Sequence, residues 1–117
     1  MPTQLLANRL ADYACNLRFD QLSAAAVHET KRRFIDSIAT AVGAMSSDAA
    51  DVARRLATSF RCEPAGSLLG GGTSSVEWAT FHNGLLIRYL GFNDTYLSKD
   101  AAHPSANLAV SLAPGMP

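Results

Sequence analysis

Apolar side chains recur every three or four residues along most of the chain, which is the spacing of one face of a helix. Leu5, Leu6, Leu10 and Tyr13 follow this spacing and predict a first helix over residues 5–16. Similar patterns predict four further helices, over residues 23–45, 48–59, 75–91 and 105–112. No strands alternate with these helices, so the pattern predicts an all-α fold and disfavours a nucleotide-binding sheet.

The segments between the predicted helices have the composition of caps and turns. Ser23 is positioned to cap the second helix, and Ser74 with Glu77 forms a capping-box pattern before the fourth. Residues 67–69 predict a short extended piece, and the three glycines at 70–72 predict a flexible connector. The glycines lack the Lys and Ser/Thr that follow them in a phosphate-binding loop.

The second predicted helix contains a stretch, residues 34–44, that is apolar or small on almost every side. A helix of this kind is normally buried on most of its surface. Its apolar stripe consists of Val27, Phe34, Ile35, Ile38 and Val42. We therefore expect a homo-oligomer in which Ile35, Ile38 and Val42 lie at or near the contact between copies.

Charge and composition narrow the classes of function. Ten Lys and Arg balance ten Asp and Glu. This balance argues against nucleic-acid binding and gives no polybasic surface for a membrane. The first four residues carry no leader pattern, and no apolar run approaches the length of a membrane span. Cys15 and Cys62 make neither a disulfide framework nor a four-thiolate cluster, so we expect a cytoplasmic protein without a cofactor.

The polar loop between the last two predicted helices carries the candidate chemistry, on the residues Asn93, Asp94, Thr95, His103 and Ser105. The proline and serine after His103 begin a helix, whose free N–H groups suit a substrate carboxylate. The imidazole can transfer a proton near neutral pH. The same residue types are also common in capped polar turns, so composition alone leaves both interpretations open.

Other polar residues receive structural interpretations. Lys31, Arg32 and Arg33 are expected to form a solvated or partner-facing edge, and His28 and His82 to be packed or surface histidines. The spacing of Asp94, Asp100 and His103 matches no standard metal site, so no metal is predicted.

Several of these segments, taken in order, resemble one known family of enzymes. They are residues 17–19 (LRF), 31–39 (KRRFIDSIA), 79–84 (ATFHNG), 88–97 (RYLGFNDTYL) and 103–107 (HPSAN). Together they are similar to the opening helices of the MmgE/PrpD family. The sequence of residues 88–97 resembles the 2-methylcitrate dehydratase branch of that family most.

The resemblance covers the chain to about residue 112, and it implies a fold, an activity and site residues. The chain is expected to form part of the large helical domain of a cytoplasmic homodimer, with a non-family tail at residues 113–117. The substrates implied are small di- and tricarboxylates. The catalytic positions carry over to Thr95 and His103, with Asp94 beside them, and Asn93 and Ser105 are expected to contact the substrate.

Two departures from the family pattern affect the expected activity. Gly91 stands where family members usually have an aspartate of the active site, and family enzymes are several times longer than 117 residues. We therefore expect a dehydratase-like lyase by ancestry that is inactive as this chain alone. Two alternatives stay open: a non-catalytic helical module that self-associates or binds a partner, and decarboxylase or epimerase activity within the same family.

Overall fold

A computed structural model describes residues 5–60 and 62–114. The chain divides into two compact units, Met1–Thr30 and Lys31–Pro117, and each is described by itself. Residues 1–4, where no leader pattern was predicted, and positions 115–117 of the predicted tail lie outside the described residues.

The first unit contains α1 (Leu6–Asn16), a 3₁₀ turn (Phe19–Gln21) and the beginning of α2 (Ala24–Ala44). The predicted cap of α2 is confirmed, because the Ala26 N–H donates to Ser23 Oγ at 3.1 Å. Helix α1 is amphipathic in sequence, yet none of its residues is buried. Its periodicity, rather than burial within this unit, therefore accounts for its correct prediction.

The second unit contains α3 (Asp48–Thr58), β1 (Ala65–Ser67), β2 (Thr73–Ser75), α4 (Val76–Tyr89) and α5 (Leu108–Leu112), with a 3₁₀ turn (Pro104–Asn107) before α5. All five predicted α-helices form within the described residues, and the protein is mainly helical. The last predicted helix is divided into the 3₁₀ turn and α5. None of the described helices has the length and apolar character that a membrane crossing requires.

The predicted mainly helical fold is confirmed, and β1 and β2 add a small antiparallel hairpin that the sequence did not predict. The turn between them contains Gly70, Gly71 and Gly72, all with positive φ of 87° to 95°, a region that favours glycine. The predicted extended piece at 67–69 falls partly in this turn. The hairpin gives no strand signal because its strands are three residues long and consist of small residues without an alternating apolar pattern.

The predicted capping box is also corrected. Ser75, not Ser74, caps α4 by accepting from the Trp78 N–H at 3.4 Å. Ser74 is buried, and its hydroxyl lies 2.6 Å from the Ala57 carbonyl oxygen and 2.9 Å from that of Phe60. It therefore satisfies the end of α3 instead of the start of α4.

The core of the second unit is rich in alanine, which allows close approach between helices. One cluster joins α2, α3, α4 and α5 through Ala41, Ala44, Ala50, Leu86, Ile87 and Ala109. A second lies beneath the hairpin and contains Ala57, Leu68, Ala79 and Ala113. Gly66 is required there, since a Cβ at this position would lie 2.7 Å from the Ala79 Cβ.

Helix α2 turns small residues, rather than its apolar stripe, toward the core of this unit, and the contact of that stripe with a second copy stays a prediction. The core contacts are made by the small residues Ser37, Thr40, Ala41 and Ala44. By contrast, Ile35 is 68% exposed and Val42 is 58% exposed. Close helix packing selects small side chains, so the large apolar residues remain on the outer face.

Candidate functional site

The candidate site lies where the loop after α4 returns to the start of the 3₁₀ turn. The loop is closed by a backbone bridge, in which Tyr96 and Ala102 exchange N–H···O bonds of 2.8 and 3.1 Å. The Asn93 side-chain amide donates to Thr40 Oγ1 on α2 at 3.3 Å. Thr40 in turn donates to the Ser37 carbonyl at 2.9 Å and lies 3.3 Å from that of Ile87. These contacts fix the loop to the ends of two packed helices.

Asp94 is the centre of the site. Its carboxylate forms an ion pair and hydrogen bond with Arg33, and its Oδ1 accepts from the Ser105 N–H at 3.1 Å. The side chain of Asp94 is only 10% exposed and that of Arg33 is 33% exposed. Burial by itself would raise the pKa of Asp94, but hydrogen bonds from Ser105 and Arg33 outweigh it and hold this pKa below its ordinary value. The carboxylate is therefore ionised at neutral pH.

The backbone of Asp94 also holds the ring of His103. Its Nδ1 lies 2.7 Å from the Asp94 carbonyl oxygen. A carbonyl oxygen only accepts, so Nδ1 must carry a proton, and the neutral ring has its lone pair on Nε2. The imidazole is exposed, so Nε2 is available to accept a proton from a bound molecule.

The structure thus brings together three of the predicted site residues, Asp94, His103 and Ser105. Ser105 is 1% exposed, and the amide that was expected to meet a substrate carboxylate donates to Asp94 instead. Asn93 fixes the loop through Thr40. Thr95 is exposed and follows Asp94 directly. The roles of all five residues toward a substrate stay predictions.

The interpretation of Arg33 as part of a solvated or partner-facing edge is wrong. Arg33 lies 61 positions before Asp94 in the sequence and contacts its carboxylate from α2. A run of three adjacent cations gives no signal that Arg33 is the one in contact with Asp94. The helical period would have helped, because Arg33 lies seven residues before Thr40 and hence on a similar face of α2.

Gly91 has a structural role at the end of α4. Its φ is +70°, and its N–H donates to the Arg88 carbonyl at 3.2 Å. This is the left-handed conformation in which glycine commonly ends helices. A Cβ at position 91 would meet no atom within 4 Å, and aspartate tolerates this conformation better than most residues do. The position therefore has room for the aspartate that the family pattern expects, although the backbone conformation there strains any residue with a Cβ.

Within residues 5–60 and 62–114, no group of three or more His, Cys, Asp or Glu side chains is arranged to hold a metal ion. Asp94 has its oxygens directed to Arg33 and Ser105 instead.

Comparison with known proteins gives one clear match. The family model described as the MmgE/PrpD N-terminal domain matches residues 8–115, which is nearly the whole chain. No solved structure matches the chain significantly.

Proposed function

Because this chain belongs to the MmgE/PrpD family, we propose that it is the N-terminal part of a hydro-lyase that acts on small tricarboxylates, similar to 2-methylcitrate dehydratase. The observation that carries this proposal is the state of His103. Its Nδ1–H donates to the Asp94 carbonyl, so the exposed Nε2 of the neutral ring is a base, and Thr95 directly follows Asp94 in the loop.

The reaction needs such a base. Dehydration of a 2-hydroxy tricarboxylate removes a proton from the carbon next to a carboxylate and breaks the C–O bond to the hydroxyl group. The hydroxyl leaves as water when an acid gives it a proton. His103 Nε2 takes or returns one of these protons, and Thr95 forms a hydrogen bond with the substrate. Asp94, held by Arg33, keeps the histidine in the required tautomer through its backbone.

The chain by itself is proposed to be inactive. Gly91 supplies no carboxylate, and the resemblance places further histidine and lysine residues of the site in other sequence. The substrate carboxylates accumulate charge as the proton leaves, and cationic groups must stabilise them. Arg33, the cation that contacts the site in the described part of the chain, is already paired with Asp94.

Binding, rather than turnover, therefore tests the proposal. We expect 2-methylcitrate or citrate to bind with millimolar affinity, about 4 kcal/mol. In a titration followed by NMR, the His103 ring nitrogens and the Thr95 amide should shift first. His103→Ala should abolish these shifts, whereas His28→Ala, which removes another exposed histidine, should not. Shifts confined to Lys31 and Arg32 would indicate nonspecific attraction of anions and would contradict the proposal.

A second candidate function is self-association without catalysis, and the exposed face of α2 favours it. Ile35 and Val42 lie seven residues apart, so both are on one side of the helix, and both are largely exposed. We propose that this face contacts a second copy of the chain in a homodimer. The two candidate functions are compatible, since the family resemblance also implies a cytoplasmic homodimer of an enzyme without a cofactor.

A further inference from the structure

A cavity of about 230 Å³, which shares no lining residue with the candidate active site, lies between α3, the glycine turn of the hairpin and α4. Its apolar wall consists of Met45, Ala50, Leu69 and Leu86, and its polar wall of Asp51, Arg54 and His82 with Gly70. None of these residues takes part in the proposed dehydration. The cavity therefore needs a separate explanation.

His82 is the most informative residue of the polar wall because it is only 2% exposed. The neighbouring Asn83 fixes its tautomer. Asn83 Oδ1 accepts from the Leu69 N–H at 2.8 Å, and Asn83 Nδ2 donates to the Ser67 carbonyl at 3.0 Å. A backbone N–H only donates and a carbonyl only accepts, so these two contacts leave one orientation for the amide.

In that orientation Asn83 Oδ1 faces His82 Nδ1 at 3.2 Å, and Nδ1 must donate. Burial lowers the pKa of His82, and the charge of Arg54 lowers it further against the opposing hydrogen bond with Asn83. The ring is thus neutral near pH 7, and its lone pair is on Nε2. Nε2 is therefore the acceptor that this cavity-lining ring offers to a bound donor.

The rest of the polar wall supplies both charges. Arg54 donates one N–H to the Gly71 carbonyl at 2.8 Å, and a guanidinium has five N–H groups, so donors remain. Asp51 lies one turn earlier on α3 and also lines the cavity. A simple anion would be repelled by Asp51 and by the Nε2 lone pair, and a simple cation would be repelled by Arg54. The wall is complementary to a molecule with both charges.

We propose that this cavity binds a small zwitterion, of the class of free α-amino acids with a short aliphatic side chain. The carboxylate contacts Arg54, and the ammonium donates to His82 Nε2 and Asp51. The aliphatic group lies against the apolar wall. The volume agrees with this class, since at about 30 Å³ per water molecule the cavity corresponds to roughly eight waters. Leucine and valine have a similar number of non-hydrogen atoms.

The experiment is a titration of the isotope-labelled 117-residue chain with leucine, followed by NMR. We expect shifts at the Gly70 and Gly71 amides and at His82 Nε2. Leucinamide lacks the carboxylate and N-acetyl-leucine lacks the ammonium, so each should bind at least about tenfold more weakly. This comparison uses the unaltered protein and does not depend on the folding of a variant. If leucine at its solubility limit moved none of these signals, or if either analogue bound as well as leucine, the proposal would be wrong.

Two variants assign the contact on the protein side. Arg54→Met should weaken leucine binding about tenfold or more, while Arg55→Met removes an exposed arginine of the same helix and should leave binding unchanged. The amide spectrum of each variant shows whether the fold is kept. Equal binding by both variants would overturn the assignment. Failure of citrate to bind at His103 would leave this inference untouched, so the two proposals fail separately.

Discussion

Replacing Arg33 with methionine tests whether the Asp94 network organises the candidate site. The substitution keeps most of the aliphatic stem and removes the guanidinium that pairs with Asp94. The carboxylate would keep its hydrogen bond from the Ser105 N–H, 3.1 Å away, but would lose its only described cationic partner. A carboxylate that is 10% exposed would then be ionised in a poorly solvated place.

The magnitude follows from the exposure of the two partners. Unit charges in hydrogen-bonding contact attract by about 5 kcal/mol at an effective dielectric constant of about 20, before desolvation is subtracted. Removing one member of a fully buried pair costs about 3–5 kcal/mol, while exposed pairs contribute about 1 kcal/mol or less. Arg33 is one-third exposed, so water screens part of the interaction. We expect the free energy of unfolding to fall by about 2 kcal/mol.

The assay is urea unfolding of Arg33→Met beside Lys31→Met, which removes an exposed cation two positions earlier. Lys31→Met should change the free energy of unfolding by less than about 0.5 kcal/mol. The ¹⁵N shifts of His103 should show the Nδ1–H tautomer in the unaltered chain and a mixture of tautomers in Arg33→Met. Equal stability of the two variants, with an unchanged His103 tautomer, would refute the idea that Arg33 positions the site.

Three further outcomes are expected from other parts of the structure. The pKa of His82 is lower in the folded state, so the unfolded chain takes up the proton at a higher pH than the folded chain does. The stability that the neutral ring contributes is therefore complete above the ordinary pKa of 6.5 and is lost as the pH falls from there toward the folded pKa. The free energy of unfolding in urea should fall less between about pH 7 and about pH 5 in His82→Gln than in the unaltered chain, and equal losses would contradict this. Ser74→Ala should lower the free energy of unfolding by about 2 kcal/mol because its buried hydroxyl satisfies the end of α3, whereas Ser111→Ala, on an exposed residue, should have little effect; similar losses measured by thermal unfolding would count against the assignment. Ile35→Asp should convert the proposed dimer to a monomer in sedimentation at micromolar concentration while Ser46→Asp should not, and a monomeric unaltered chain would disprove the dimer.

Much of the fold could be predicted from the sequence because its signals are local. Helices α1 to α4 begin or end within about two residues of their predicted limits, since apolar periodicity and serine caps act over one or two turns. The hairpin could not be predicted in this way. Its strands contain only small residues, and its stability comes from contacts made by the backbone, such as the Ser67 N–H bond to the Ala113 carbonyl at 2.8 Å.

The candidate site likewise has features that local sequence predicts and features that depend on contacts between distant segments. Residue types and the order of the motifs identified the loop, the family of the chain and His103, because the residues of each motif are adjacent in the sequence. Arg33 was assigned wrongly, since its partner Asp94 is distant in sequence and is reached only when α2 packs beside the loop. The tautomers of His103 and His82 likewise depend on which neighbouring oxygen faces each Nδ1.

The sequence by itself therefore determined the helices, the family and the loop that carries the candidate chemistry, because these depend on neighbours along the chain. The tertiary structure decided which face of α2 is buried, which cation meets Asp94 and which nitrogen of each histidine holds its proton. Those outcomes depend on distances between segments far apart in the chain. Alanine-rich helices can approach closely, and that approach places small residues inside and leaves Ile35 and Val42 outside.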